Sequence, residues 1–214
     1  MDQRPVTLCG RNLGAPAHIC AFFDSEVEQY ETLLPYFKEG LDNGEQVVSI
    51  LDRVRHPAHF DRMRGAGLPV DTAVAAEQLK VMSSDETYTN GGSFAVERMI
   101  ELLTATLDGA QAGPFGVVRT CGDMEWALQS LGTTDGLIEY EARVNTLLPK
   151  YDCTLMCIYD LNRFSGRAVM DVLCTHSHVI LGGEVRENPY FVPPIDFLRS
   201  LLHRSAAPLG RAAS

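Results

Sequence analysis

Short apolar runs of strand length alternate with helical periodicities along almost the whole chain. His18-Ile-Cys-Ala-Phe-Phe23 reads as a buried strand that exits at Asp24-Ser25. Ser25 with Glu28 forms a capping-box signature, and Val27, Tyr30, Leu33, Leu34, Phe37 and Leu41 then recur at helical spacing. Pro35 is a candidate kink, and Asn43-Gly44 a helix stop. Strands are predicted at Gln46 to Leu51, Leu79 to Met82, Phe115 to Arg119, Cys153 to Tyr159 and His178 to Leu181. Helices are predicted at Pro57 to Arg64, at Phe94 to Leu107, at Met124 to Leu131, at Leu137 to Leu148, at Gly166 to Cys174 and at Ile195 to Leu202. Ser83 to Gly92 reads as a loop. This alternation predicts a three-layer α/β fold: a mostly parallel central sheet with helices on both faces.

A length of 214 residues, 45% of them hydrophobic, suits one large core. Residues 1–14 read as an N-terminal extension, 15–203 as the domain and 204–214 as a disordered tail. With 28 acidic against 18 basic residues the net charge is −10, which disfavours direct nucleic-acid binding. The start lacks a basic segment followed by an apolar stretch, and no apolar run approaches the roughly 20 residues that span a bilayer. A cytoplasmic location without membrane contact is expected. The six cysteines are then read as mostly buried, reduced thiols.

Strand, turn and helix at the start of an α/β chain raise the question of a nucleotide. A phosphate-binding loop needs Gly-x-x-x-x-Gly-Lys-Ser/Thr, but the three lysines, Lys38, Lys80 and Lys150, follow Phe37, Leu79 and Pro149. The turn after the first strand, Phe23-Asp-Ser-Glu26, places carboxylates where phosphate wants amide donors. No Gly-x-Gly-x-x-Gly follows an early strand either, and Gly182-Gly183 reads as a turn.

Several blocks, in this order, carry a resemblance. They are His18 to Glu26, Leu33-Leu-Pro-Tyr-Phe-Lys-Glu-Gly-Leu41 with Gly44-Glu45, Cys157-Ile-Tyr-Asp-Leu-Asn-Arg-Phe164, Thr175-His176, Ile180 to Gly183, and Glu187-Asn-Pro-Tyr-Phe-Val-Pro-Pro194. From about residue 15 to 202 the chain resembles the sensory domain of methanogens, methylotrophs and the dichloromethane-responsive repressor, the MEDS family. The resemblance implies a RecA/KaiC-like fold without the nucleotide loop. It also implies a receptor for a small organic molecule, simple hydrocarbon derivatives among the candidates, in prokaryotic signal transduction or transcriptional regulation. Family members are often joined to a kinase-like ATPase, a phosphoacceptor module or a DNA-binding domain. The few residues after the last predicted helix imply a stand-alone sensor that signals through a separate protein partner, kinase-like or a transcriptional regulator; a homo-oligomer is left open.

Ligands of open α/β sheets bind beyond the strand carboxyl ends. That rule, with the resemblance, selects His18, Phe23, Asp24, Arg119, Glu125, Trp126, Tyr159, Asp160 and Arg163 as the candidate wall of an apolar ligand site. Trp126 could equally anchor a helix, and Arg119 and Arg163 could pair with Asp123, Glu125 or Asp160 to stiffen loops. His18 and Cys20 share a strand face at about 6.6 Å and could converge on a metal with Cys121, Cys174 or His176. Cys153 and Cys157 share a face but lie about 13 Å apart, too far to chelate together. Neither Cys-x-x-Cys nor His-x-x-x-His occurs, so no metal, cofactor or catalytic residue is assigned. The alternatives are a metal-binding sensor, a Cys/His-dependent enzyme using Cys121 or Cys20 with His18 or His176, and an interaction module whose acidic surface docks a basic partner.

Overall fold

In chain order the elements are β1 (Thr7–Leu8), β2 (Arg11–Asn12), β3 (Ala17–Phe23), α1 (Glu26–Asp42), β4 (Gln46–Leu51), α2 (His56–Gly65), α3 (Val70–Ala75), β5 (Leu79–Ser83), α4 (Val96–Ala112), β6 (Val118–Asp123), α5 (Trp126–Ser130), α6 (Asp135–Leu147), β7 (Cys153–Asp160), α7 (Gly166–Thr175), β8 (His178–Leu181), β9 (Glu184–Glu187) and α8 (Pro194–Ala206). These come from a computed structural model, which describes residues 6–13, 17–89, 92–130 and 135–206.

Seven strands form one sheet in the order β5-β4-β6-β7-β3-β8-β9. All neighbours pair in parallel except β9, which folds back on β8. Every residue of the interior strand β3 is buried, as a strand covered on both faces requires. The pleat sends Ile19, Ala21 and Phe23 into one core with α1, α2, α3 and the β1–β2 hairpin. Cys20 and Phe22 point into the other core, roofed by α4 to α8. His18 shares the parity of Cys20 and so faces α6 and α7.

Local chemistry sets the first crossover. Ser25 Oγ accepts from the Glu28 amide at 3.3 Å, and the Glu28 carboxylate accepts from the Asp24 amide at 3.2 Å, one residue earlier than a regular capping box. The helix continues through Pro35 and stops at Asn43, with Gly44 at φ +74°.

At the amino end of the sheet a buried cation ties three elements together. Arg119 of β6 is inaccessible to solvent; its Nε and Nη2 donate to both oxygens of Glu45, the latter at 3.0 Å. Nη1 donates to Glu39 of α1 at 3.0 Å, and the guanidinium lies 5.1 Å from the Tyr36 ring centroid. Glu39 in turn accepts from the Thr7 amide at 2.9 Å and holds the hairpin. Burial opposes the charge, but the hydrogen bonds to Glu45 and Glu39 raise the Arg119 pKa further.

Several expectations change. The strand expected at Phe115 to Arg119 is β6, three residues later, because Gly116 takes φ +71° and turns the chain there. Arg119 therefore sits at the amino end of the sheet, opposite to where a ligand contact was expected, and pairs with Glu45 and Glu39. Residues 6–13 of the expected N-terminal extension form the hairpin, with Val6 and Leu8 buried. The loop at Ser83 to Gly92 contains one π-helical turn, Asp85–Thr89. Helix α8 runs to Ala206, so the expected tail begins later, and the disorder expected for its remainder concerns residues outside those described. The helix α3 and the polar edge strand β9 were not anticipated. Among the described residues no helix is long and apolar enough to cross a membrane.

Arg119→Ala should lower unfolding free energy by about 3–5 kcal/mol, because it strands a buried carboxylate. Urea denaturation followed by circular dichroism checks this; a loss under about 1 kcal/mol would mean that Glu45 finds another partner.

Candidate functional site

Two neighbouring spaces near the sheet differ in character. At the strand carboxyl ends lies a polar cleft of about 380 Å³, lined by Asp52, Arg55, Ser84, Asp85, Asp123, Glu125, Trp126 and Arg163. Both of its guanidiniums are already paired: Arg55 Nη1 donates to Asp123 at 2.5 Å and Arg163 Nη1 to Glu125 at 2.9 Å. Burial raises the pKa of Asp123, an effect that Arg55 only partly offsets. Four carboxylates against two guanidiniums make this the reverse of a phosphate cradle.

The second environment is apolar. Between the sheet and helices α4 and α6 is a cavity of about 60 Å³. By the same measure a water needs roughly 10–15 Å³, so a molecule of a handful of non-hydrogen atoms fits. Its floor is Val48, Ile50, Thr120, Gly122 and Leu155, and its roof Met99, Leu102, Leu103, Thr106, Tyr140 and Val144, with Met82, Tyr88 and Met124 at the side. Gly122 is required here. A Cβ on it would lie 2.5 Å from the Tyr88 hydroxyl, so only glycine lets that ring settle over β6. Methionine thioethers line such a space adaptably.

One end of the cavity is polar. His18, Glu141 and Cys157 reach its wall, and His176, which follows α7, completes a quartet of which all but the half-buried Cys157 are buried. Glu141 Oε2 lies 3.1 Å from His18 Nε2, 3.5 Å from His176 Nε2 and 3.5 Å from Cys157 Sγ; Cys157 Sγ is 3.6 Å from His18 Nε2. The other carboxylate oxygen accepts from the Tyr159 hydroxyl at 2.9 Å. Burial works against the Glu141 charge, yet the hydrogen bonds from His18 and Tyr159 keep its pKa below the usual carboxylate range. Burial, reinforced by the charge of Glu141, pushes the Cys157 thiol up. Burial, reinforced by His18, brings His176 down to about 3.

Further bonds fix both imidazoles. Asn145 Nδ2 donates to the carbonyls of Glu141 and Thr175 at 3.0 and 2.7 Å, which leaves its Oδ1 to accept from His18 Nδ1 at 3.2 Å. His176 Nδ1 donates to the Val172 carbonyl at 2.9 Å. Both Nε2 atoms are thereby turned toward the carboxylate. Elsewhere Trp126 stacks on Tyr88 with centroids 4.5 Å apart and lies 4.8 Å from Phe94, so it anchors α5 beside the cavity.

The expected ligand residues are thus divided. Glu125, Trp126 and Arg163 line the polar cleft; Phe23, Glu125 and Asp160 line a smaller recess next to it, and Asp24 is exposed. Asp160 accepts from the amide and side chain of Asn162 and holds its loop. His18 and Tyr159 belong to the quartet, and Arg119 to the opposite end. Of the residues weighed for metal or thiol chemistry, His18 and His176 meet, while Cys121 points into the other core and Cys20 donates to the His178 carbonyl. Burial raises both thiols. Glu141, Asn145 and Cys157 were missed as site residues. The signal for Glu141 is its place at i+4 from Leu137 and i−3 from Val144, an acid on the apolar stripe of its helix.

A mostly parallel sheet with helices on both faces and a carboxylate-lined cleft at its strand ends defines a RecA-type fold. Solved structures agree on the fold. A KaiC-like protein from Pyrococcus horikoshii matches at TM-score 0.53 and 12% identity, covering 76% of this chain and 69% of that one. The flagellar accessory protein FlaH from Methanocaldococcus jannaschii matches at TM-score 0.53 and 12% identity, covering 85% and 83%. The chain belongs to the MEDS family, the methanogen/methylotroph, DcmR sensory domain, whose model matches residues 17–177. It is 27% identical over 173 residues to the transcriptional repressor DcmR of Methylorubrum extorquens, covering 79% of this chain and 61% of the repressor's length.

Mg-ATP should neither raise the melting temperature nor be hydrolysed above background, because the strand ends present carboxylates to phosphate. A saturable thermal shift at micromolar Mg-ATP would show that the cleft rearranges to take it.

Proposed function

We propose that the protein is the ligand-binding unit of a prokaryotic regulatory system, in which a small, largely apolar organic molecule occupies the cavity under α4 and α6. The observation that carries this reading is the cavity itself: an apolar chamber at the sheet face, closed by a polar cluster at one end only. Such a chamber selects by size and hydrophobicity, with His18, Glu141 or Cys157 supplying one directional contact. Membership of a sensory-domain family supports the role, and similarity to a transcriptional repressor supports transcription as its output. The ligand site thus moves from the strand carboxyl ends to the sheet face beside them.

The signal follows from the packing. Filling the cavity holds α4 and α6 at a set distance from the sheet, and α4 presents an exposed outer face to a partner; an equilibrium between open and filled states is shifted by the ligand's preference for one of them. The reading places the chain in the cytoplasm, where a regulator of transcription acts, with a protein partner or a second copy receiving the change. Its acidic charge makes a protein partner a better recipient than DNA.

The test uses one- to four-carbon haloalkanes and alcohols with the purified protein. At least one should raise the melting temperature saturably and alter the emission of Trp126, the only tryptophan, through its stack on Tyr88. Leu103→Phe, which narrows the cavity from α4 and adds no second tryptophan, should abolish both responses while the protein stays folded. Equal responses in wild type and variant would place the ligand elsewhere.

A further inference from the structure

The quartet at the closed end of the cavity presents four electron-rich atoms to one point. They are His18 Nε2, His176 Nε2, Glu141 Oε2 and Cys157 Sγ, all within 4.8 Å of one another. Four of their separations are 3.1, 3.5, 3.5 and 3.6 Å, the last three at the spacing of a coordination shell and the first a little shorter. A tetrahedral ion with bonds of roughly 2.0–2.3 Å sets its ligand atoms about 3.3–3.7 Å apart. Separations of that size across four side chains from four elements, β3, α6, β7 and the end of α7, are not produced by helix or strand periodicity.

Three further observations point the same way. The imidazoles are held as metal-binding imidazoles are, each Nδ1 spent as a donor, one on the Asn145 amide oxygen and one on the Val172 carbonyl, with each Nε2 facing Glu141, where an ion would replace the hydrogen bond that His18 makes to the carboxylate. Among the described residues His176 Nε2 has no hydrogen-bond partner, although its side chain is wholly buried and aimed at Glu141. A hydrogen-bonding account of the cluster leaves that atom unsatisfied, at a cost of about 1–3 kcal/mol. Lastly, a divalent cation that displaces the Cys157 proton meets one carboxylate and one thiolate, which leaves the set neutral.

We propose that His18, Glu141, Cys157 and His176 bind one divalent transition-metal ion per chain, zinc being the ion that this N2OS donor set suits best. Tyr159 holds Glu141 monodentate by taking its other oxygen, and Asn145 orients His18. All four positions of the ion are filled by protein, which makes it a clasp between the sheet and the α6–α7 layer. Three of its ligands also line the cavity wall, so the ion sits where an entering molecule meets the polar end. The inference goes beyond the ligand reading and stands without it, since the ion needs no organic molecule in the cavity.

The experiment strips the full chain with a chelator and titrates it with Co²⁺, then Zn²⁺. One equivalent of Co²⁺ should produce a thiolate-to-cobalt charge-transfer band with the intense visible bands of a four-coordinate site, and Zn²⁺ should displace both and raise the melting temperature. In Cys157→Ser the charge-transfer band should vanish. Asn145→Ala, which keeps all four ligands, should weaken Zn²⁺ binding by about 10–100-fold. The proposal is overturned if the wild-type chain binds no stoichiometric Co²⁺, if the cobalt spectrum is octahedral and lacks the thiolate band, or if Cys157→Ser keeps the wild-type spectrum. Should Cys157→Ser fail to fold, the wild-type spectrum and stoichiometry decide alone.

Discussion

A carboxylate with no access to solvent has to be answered from inside the fold, and Glu141 is that carboxylate. Its two oxygens draw in His18 from β3, Cys157 and Tyr159 from β7 and His176 from the end of α7. The cost of burying one charge is thereby spread over groups from three segments, and none of these can move without exposing another's unmet polarity. Helix α6 is consequently positioned over β7 and β3 by polar contacts as well as by Leu137, Tyr140 and Val144, and the cavity exists in the space this leaves under α4.

The two ends of the sheet are specialised by opposite electrostatics. At the amino end Arg119 neutralises Glu45 and Glu39 in a buried junction that fastens α1, the start of β4 and β6. At the carboxyl end, where RecA-type folds open their strand-end loops, Asp52, Asp85, Asp123 and Glu125 gather around Arg55 and Arg163. The fold is shared with a KaiC-like protein, its strand-end cleft is lined mainly by carboxylates, and the sheet face a layer below carries the apolar cavity.

Much of the architecture was legible in the sequence because it is local. The strands at His18 to Phe23, Gln46 to Leu51 and His178 to Leu181 are apolar runs bounded by turn residues, and they stand where periodicity places them. The lysine positions by themselves ruled out a P-loop, since that chemistry needs adjacent residues. The same-face relation of His18 and Cys20 also follows from the strand pleat alone. What failed locally failed for a nonlocal reason. Strand β6 carries a charge that only Glu45 and Glu39 make tolerable, and β9, Glu-Val-Arg-Glu, is polar because it is an edge strand whose pairing depends on β8.

The candidate site shows the same division more sharply. Sequence determined the residue types and, through α6 periodicity, that Glu141 falls on a core-facing stripe. Its partners lie 123 residues before it, 16 after it and 35 after it, and no local pattern relates those positions. Which face of β7 looks toward α6, and that the end of α7 returns to the same point, are consequences of strand order and crossover packing. Tertiary structure alone decided them, because convergence of distant side chains is a property of how the layers stack and not of any segment within them.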